Sequence, residues 1–255
     1  MVMGSVPGLR YIHLHESSAA RQHGHDPSEP ARHMKTAAVV FDLDGTLIDS
    51  AGDLHRAVNG MLSEFDCAPL PLNEVRGMIG DGASLLIARA LAARQCVVPD
   101  QTVALRLFLN HYAEEPTALT TVYPGARETL ELLRARGLTL AICTNKPADL
   151  THVILERLQI EQHFTRVVGG DSLSFRKPDP RALMEVLNGI GTAPAASLMV
   201  GDSEVDAATA HAAGVPFVLM THGYHRGPID QVSCIAACDK FRELASFVAA
   251  RLDAG

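Results

Sequence analysis

Thr36-Ala37-Ala38-Val39-Val40-Phe41-Asp42-Leu43-Asp44-Gly45-Thr46 is the stretch on which the fold turns. Thr36–Phe41 is short, apolar and partly β-branched, as expected of a buried strand. At its end Asp42 and Asp44 stand two apart, and strand alternation points both side chains the same way. Two carboxylates so close repel and need a cation or a shared proton. Gly45 then permits a turn. Taken alone, D-x-D-G is also an Asx turn or the start of a calcium loop. The EF-hand version fails, because Thr46, Leu47 and Ile48 follow where acidic or amide ligands should continue.

Outward from this stretch the pattern repeats. Leu138–Thr144, Ser197–Val200 and Phe217–Thr221 are further apolar runs, with Arg166–Val168 and Val232–Ala236 as shorter candidates. Helix-like segments lie between them at Ala126–Ala135, Thr151–Leu158, Pro180–Leu187, Glu204–Ala213 and Arg242–Leu252. Strands alternating with helices imply an α/β fold, a Rossmann-like parallel sheet core with helices on both faces. From Asp53 to about Glu115 no strand is readable. Three helical faces appear there, and a block of that size forms a small bundle. The expected organisation is a core of 34–52 and 120–255, with 53–119 as an inserted all-helical cap domain.

Composition narrows the function. The chain has 255 residues, 47% hydrophobic and 20% charged, enough for a packed globule. With 22 basic against 29 acidic residues it carries −7 and shows no basic face for nucleic acid. No stretch approaches a membrane span of about 20 apolar residues. Five scattered cysteines, at 67, 96, 143, 234 and 238, suggest reduced thiols and a cytoplasmic setting. Cys234-x₃-Cys238 lacks a second pair, so zinc is not expected, and Cys143 reads as a small buried residue. Residues 1–33 hold five of the 12 histidines among Pro, Ser and Gly without periodicity. They are expected to be a disordered leader, with Met34 opening the ordered chain.

Chemistry concentrates at the strand ends, where ligands of open parallel sheets bind. Thr144-Asn145-Lys146-Pro147 follows one run, and a hydroxyl and an amide before a helix make a phosphate cradle. Lys177 is held between Arg176 and Pro178. Gly201-Asp202-Ser203 and Asp206 place two carboxylates four apart at a strand-to-helix turn. Each has a plainer reading as a helix cap, a turn lysine or an acidic helix start. Their conjunction does not.

DxDGT, TN, KP and GDSxxD at four successive strand ends resemble the haloacid dehalogenase-like phosphohydrolases, from Thr36 onward. Leu47-Ile48-Asp49-Ser50, Val122-Tyr123-Pro124-Gly125, Thr221-His222-Gly223-Tyr224 and the early helical insertion are similar to the phosphoglycolate phosphatase group within that family. The resemblance implies Asp42 as nucleophile, forming an aspartyl-phosphate, and Asp44 as general acid and base. It implies Mg²⁺ on the Asp42 carboxylate, the Asp44 carbonyl and Asp202. Thr144, Asn145 and Lys177 would hold phosphoryl oxygens, with Asp206 orienting Lys177 or a metal-bound water. Arg76, in the glycine-rich segment Arg76–Gly82, is the candidate for a substrate carboxylate, although a surface arginine is an equally good reading. The expected substrate is a small phosphorylated metabolite, foremost 2-phosphoglycolate, acted on by a monomer or homodimer. Alternatives are a sugar phosphate, a phosphoglucomutase, against which Thr46 stands where such mutases resemble DGV, and a non-catalytic binding protein.

Overall fold

The computed structural model describes residues 37–253, so the expected leader 1–33 lies outside the described residues. Its centre is β1 (Ala38–Phe41), whose four residues are all buried. β1 pairs in parallel with β4 (Thr139–Cys143) on one side and β6 (Ser197–Gly201) on the other. β5 (Arg166–Val168) extends one edge, and β7 (Phe217–Met220) and β8 (Ala236–Cys238) the other. The resulting order is β5-β4-β1-β6-β7-β8, all parallel.

Alternation along β1 separates two apolar layers. Val39 and Phe41 join the cluster containing Leu130 and Leu133 of α5 (Ala126–Ala135), Ile154 and Leu155 of α6 (Ala148–Arg157), and Leu244 of α9 (Phe241–Asp253). Val40 joins the opposite layer, with Leu183 and Val186 of α7 (Pro180–Ile190) and Ala210 of α8 (Glu204–Ala212). A strand buried on both faces must be apolar throughout, which is why AVVF has no polar position. The chain leaves β1 for β4 and β5, then returns to β6 on β1's other side. That reversal opens a crevice at the carboxyl ends of β1, β4 and β6.

Between β2 (Ile48–Asp49) and β3 (Thr121–Val122) lie four helices: α1 (Ala51–Ser63), α2 (Leu72–Arg76), α3 (Ala83–Ala93) and α4 (Gln101–Glu114). β2 and β3 form an antiparallel two-residue ribbon where the chain enters and leaves this insertion. The sequence reading missed it, because two residues carry no periodicity. Buried Asp53 fastens the exit: its Oδ2 accepts from Leu119 N, Thr120 N and Thr120 Oγ1 at 2.7–2.9 Å. The run expected at Val232–Ala236 pairs further along, because Ala236–Cys238 is what meets β7.

Cys67 and Cys96, 29 residues apart in sequence, are brought together with Cα atoms 6.2 Å apart, while Cys143, Cys234 and Cys238 are buried away from them. Helix packing thus brings together two cysteines that sequence spacing leaves unrelated. Among the described residues no helix is long and apolar enough to cross a membrane.

Candidate active site

β1 delivers Asp42 to the crevice, where Asp42 N donates to Val200 O at 2.9 Å and so continues the ladder. The chain then folds back tightly, with the amides of Thr46, Leu47 and Ile48 all donating to Leu43 O. Gly45 turns this loop at φ +88°, and a Cβ there would collide with the Asp202 carboxylate. Glycine is required twice over, for its backbone angle and for the close approach.

β6 delivers Asp202, which is 2% exposed. Thr46 Oγ1 donates to its Oδ1 at 2.8 Å and Tyr224 N to its Oδ2 at 2.6 Å. One turn on, Ser203 and Asp206 cap α8 reciprocally. The other oxygen of Asp206 accepts from Lys177 Nζ at 2.6 Å, and the same ammonium lies 2.7 Å from Asp42 Oδ1. Asp42, Asp202 and Asp206 each offer a carboxylate oxygen, all within 4.8 Å of one another.

Three buried carboxylates against one ammonium leave the cluster too negative. Burial pushes Asp42 up to about 6; Lys177 opposes this, while Asp206 and Asp44 add repulsion. Burial likewise raises Asp202 well above the usual carboxylate range, reinforced by Asp206 and Asp42. Burial alone would lower Lys177, but Asp206 and Asp42 outweigh it and raise it instead. A compact set of hard oxygen donors with unbalanced negative charge fits a divalent cation of the magnesium type.

The sequence profile of the haloacid dehalogenase-like hydrolases matches residues 39–220. The chain belongs to that family. The phosphoglycolate phosphatase of Rhodospirillum rubrum is 46% identical over 217 residues, covering 83% of this chain and 90% of its own. That of Cereibacter sphaeroides is 47% identical over 200 residues, 76% of this chain and 89% of its own. The crystal structure of a predicted phosphoglycolate phosphatase from Haemophilus somnus superposes with a TM-score of 0.80 at 33% identity, over 86% of this chain and 99% of that one.

In this haloacid dehalogenase-like hydrolase the crevice is roofed by the helical insertion. A cavity of about 40 Å³ remains between them, lined on the core side by Asp42, Asp44, Thr144, Asn145 and Lys146. The insertion supplies Leu54, Leu86, Phe108 and Tyr112. Asp44 turns from the carboxylate cluster toward Ser50 Oγ, at 2.5 Å, and Lys146 Nζ, at 3.0 and 3.1 Å from its two oxygens. Thr144 is buried at the end of β4, its Oγ1 accepting from Lys146 N. Asn145 Nδ2 donates to Lys177 O and to Gly80 O of the insertion, while its Oδ1 is buried without a partner.

Asp42, Asp44, Asp202, Asp206, Thr144, Asn145 and Lys177 are thus brought together. Arg76 is not. It pairs with Asp49 at 2.8 Å and lies over the Tyr224 ring, outside the cavity lining. Nearby Asp49 offered a carboxylate for it, a competition that sequence spacing does not display.

Lys146, Tyr112, Thr46 and Tyr224 received no role from the sequence. Three of them stand in motifs already singled out, TNKP, DxDGT and THGY. Tyr112 reads as an ordinary core aromatic of α4, and nothing in its spacing marks it. His222 Nε2 lies 3.2 Å from Thr46 O and its ring packs on Tyr123. Burial pushes the Cys143 thiol up to about 12, so it offers no thiolate.

Proposed function

We propose that the protein is a magnesium-dependent phosphatase that hydrolyses 2-phosphoglycolate to glycolate and phosphate. An Asp42 oxygen attacks phosphorus, the ester P–O bond breaks, and Asp44 protonates the departing glycolate oxygen. Asp44 then takes a proton from the water that attacks the aspartyl-phosphate, releasing phosphate and restoring Asp42. Lys177 balances charge on the transferring phosphoryl group, with Asp206 fixing its ammonium, and Thr144 and Asn145 complete the cradle. Asp42, Asp202 and the Asp44 carbonyl would hold magnesium, which when bound neutralises the acidic cluster and polarises the phosphoryl group. The helical insertion acts as a cap that excludes water during transfer.

The observation that carries this reading is the division of labour between two aspartates on one cavity. Asp42 sits on the carboxylate cluster against Lys177, and Asp44 is turned away to Ser50 and Lys146. The substrate comes from the relatives' names, at 46% and 47% identity over most of their length.

Phosphate release from 2-phosphoglycolate, sugar phosphates and nucleotides, with magnesium and with chelator, tests the reading. Magnesium-dependent turnover concentrated on 2-phosphoglycolate is expected. Turnover of another compound alone would overturn the substrate.

A further inference from the structure

We infer that Lys146, steadied by Tyr112, binds an anionic group at the far end of the substrate, so that the site selects phosphomonoesters with a carboxylate one carbon from the ester oxygen. The inference rests on the phosphatase reading above and names what sets its specificity.

Lys146 is 5% exposed, yet it is among the residues that line the cavity. It supplies the one ammonium in that lining. Lys177, held by Asp42 and Asp206, and Arg76, held by Asp49, both stand outside the lining; Lys146 is paired too, with Asp44, but inside it. The rest of the wall is largely apolar, so a second anionic group on the substrate has Lys146 as its cation there.

Its position is fixed from both parts of the molecule. The backbone belongs to the segment after β4. The Nζ atom is 2.6 Å from Tyr112 OH on α4 and 4.5 Å from the centroid of that ring. The hydroxyl fixes the ammonium in place by accepting one of its hydrogen bonds. The same Nζ touches both oxygens of Asp44, the group assigned to protonate the leaving oxygen. A cation adjacent to Asp44 therefore lies just beyond the ester oxygen, where a carboxylate one carbon away would fall. Tyr112 is a positioning residue, because it acts through Lys146.

The test compares kcat and KM of wild type, Lys146→Met and Tyr112→Phe on 2-phosphoglycolate, 2-phospholactate and ethyl phosphate, which lacks the carboxylate. Lys146→Met should lose about 50-fold more in kcat/KM on both carboxylates than on ethyl phosphate, the order expected for a charge-assisted hydrogen bond, because the loss on ethyl phosphate reads only its contact with Asp44. Tyr112→Phe removes only a hydroxyl, keeps the fold testable if Lys146→Met does not fold, and should raise KM about 5-fold on the carboxylates alone. Equal loss on all three compounds would make Lys146 a support for Asp44 and overturn the inference, as would no loss. Wild type that prefers 2-phospholactate, with the carboxylate-selective loss intact, would overturn the substrate reading and leave the inference standing. Wild type indifferent to the carboxylate would overturn the inference and leave a phosphatase. No turnover of any compound would overturn both.

Discussion

The Lys177 ammonium lies 2.7 Å from Asp42 Oδ1, and Asp206 holds it there from the opposite side at 2.6 Å. All three side chains are at most 8% exposed. On the proposed mechanism, the carboxylate that attacks phosphorus meets a cation that another carboxylate has already fixed in place, which preorganises charge where charge would develop. Replacing Lys177 with Met should lower kcat about 10²–10³-fold. It should also destabilise the protein by about 3–5 kcal/mol, because Asp206 is left buried and unpaired. Steady-state kinetics beside urea unfolding checks both. A variant with normal kcat would remove Lys177 from the mechanism.

The raised Asp42 makes stability depend on pH and metal together. Its carboxyl is pushed from 3.8 to about 6, mainly by burial, and Asp202 is raised in the same direction. A raised carboxylate favours the protonated fold, so its contribution is complete below about pH 4 and is lost as pH rises through about 6. In chelator, Tm should therefore fall between about pH 5 and about pH 7 through these two groups. Magnesium should raise Tm more at about pH 7, because protons compete for the same oxygens. Calorimetry at both pH values checks this, and equal stabilisation at both would contradict it.

Tyr224 ties the entrance of the insertion to the core. Its hydroxyl donates to Asp49 Oδ1 at 2.7 Å and accepts from Ser50 N at 2.8 Å and Ala51 N at 3.1 Å. Tyr224→Phe leaves two amides at the start of α1 without that acceptor. Stability should fall by about 1–3 kcal/mol. Because the Tyr224 backbone, not its side chain, reaches Asp202, kcat should change less than about 5-fold. Thermal melts beside kinetics separate the two effects.

The proximity of Cys67 and Cys96 predicts a disulfide between them, which is directly countable. Under denaturing conditions without reductant, three thiols should titrate, from Cys143, Cys234 and Cys238, and after reduction all five. Five thiols before reduction would remove the Cys67–Cys96 link.

Much of the core is legible because one physical requirement dominates each residue. Val39 and Val40 must be apolar, since both faces of β1 are covered. Asp42, Lys177 and Asp202 each have a plainer reading as a turn or helix start, and are legible only through the conjunction of four strand-end motifs that resembles the haloacid dehalogenase-like phosphohydrolases. What is hidden depends on where unrelated segments meet. Arg76 reaches Asp49 across the fold of the insertion, and Cys67 reaches Cys96 through helix packing. Tyr112 obeys helical periodicity like any core residue, and only its hydroxyl's distance to Lys146 distinguishes it. Asn145 divides its amide between Gly80 and Lys177, two carbonyls that no local pattern brings near it.

The most direct measurement asks whether Asp42 becomes covalently phosphorylated. Acid quench during turnover of 2-phosphoglycolate, then borohydride reduction, converts an acyl-phosphate to homoserine, and peptide mass mapping locates it. Homoserine should appear at position 42 when substrate and magnesium are both supplied, and not with chelator. Sustained phosphate release with residue 42 unmodified would contradict the account.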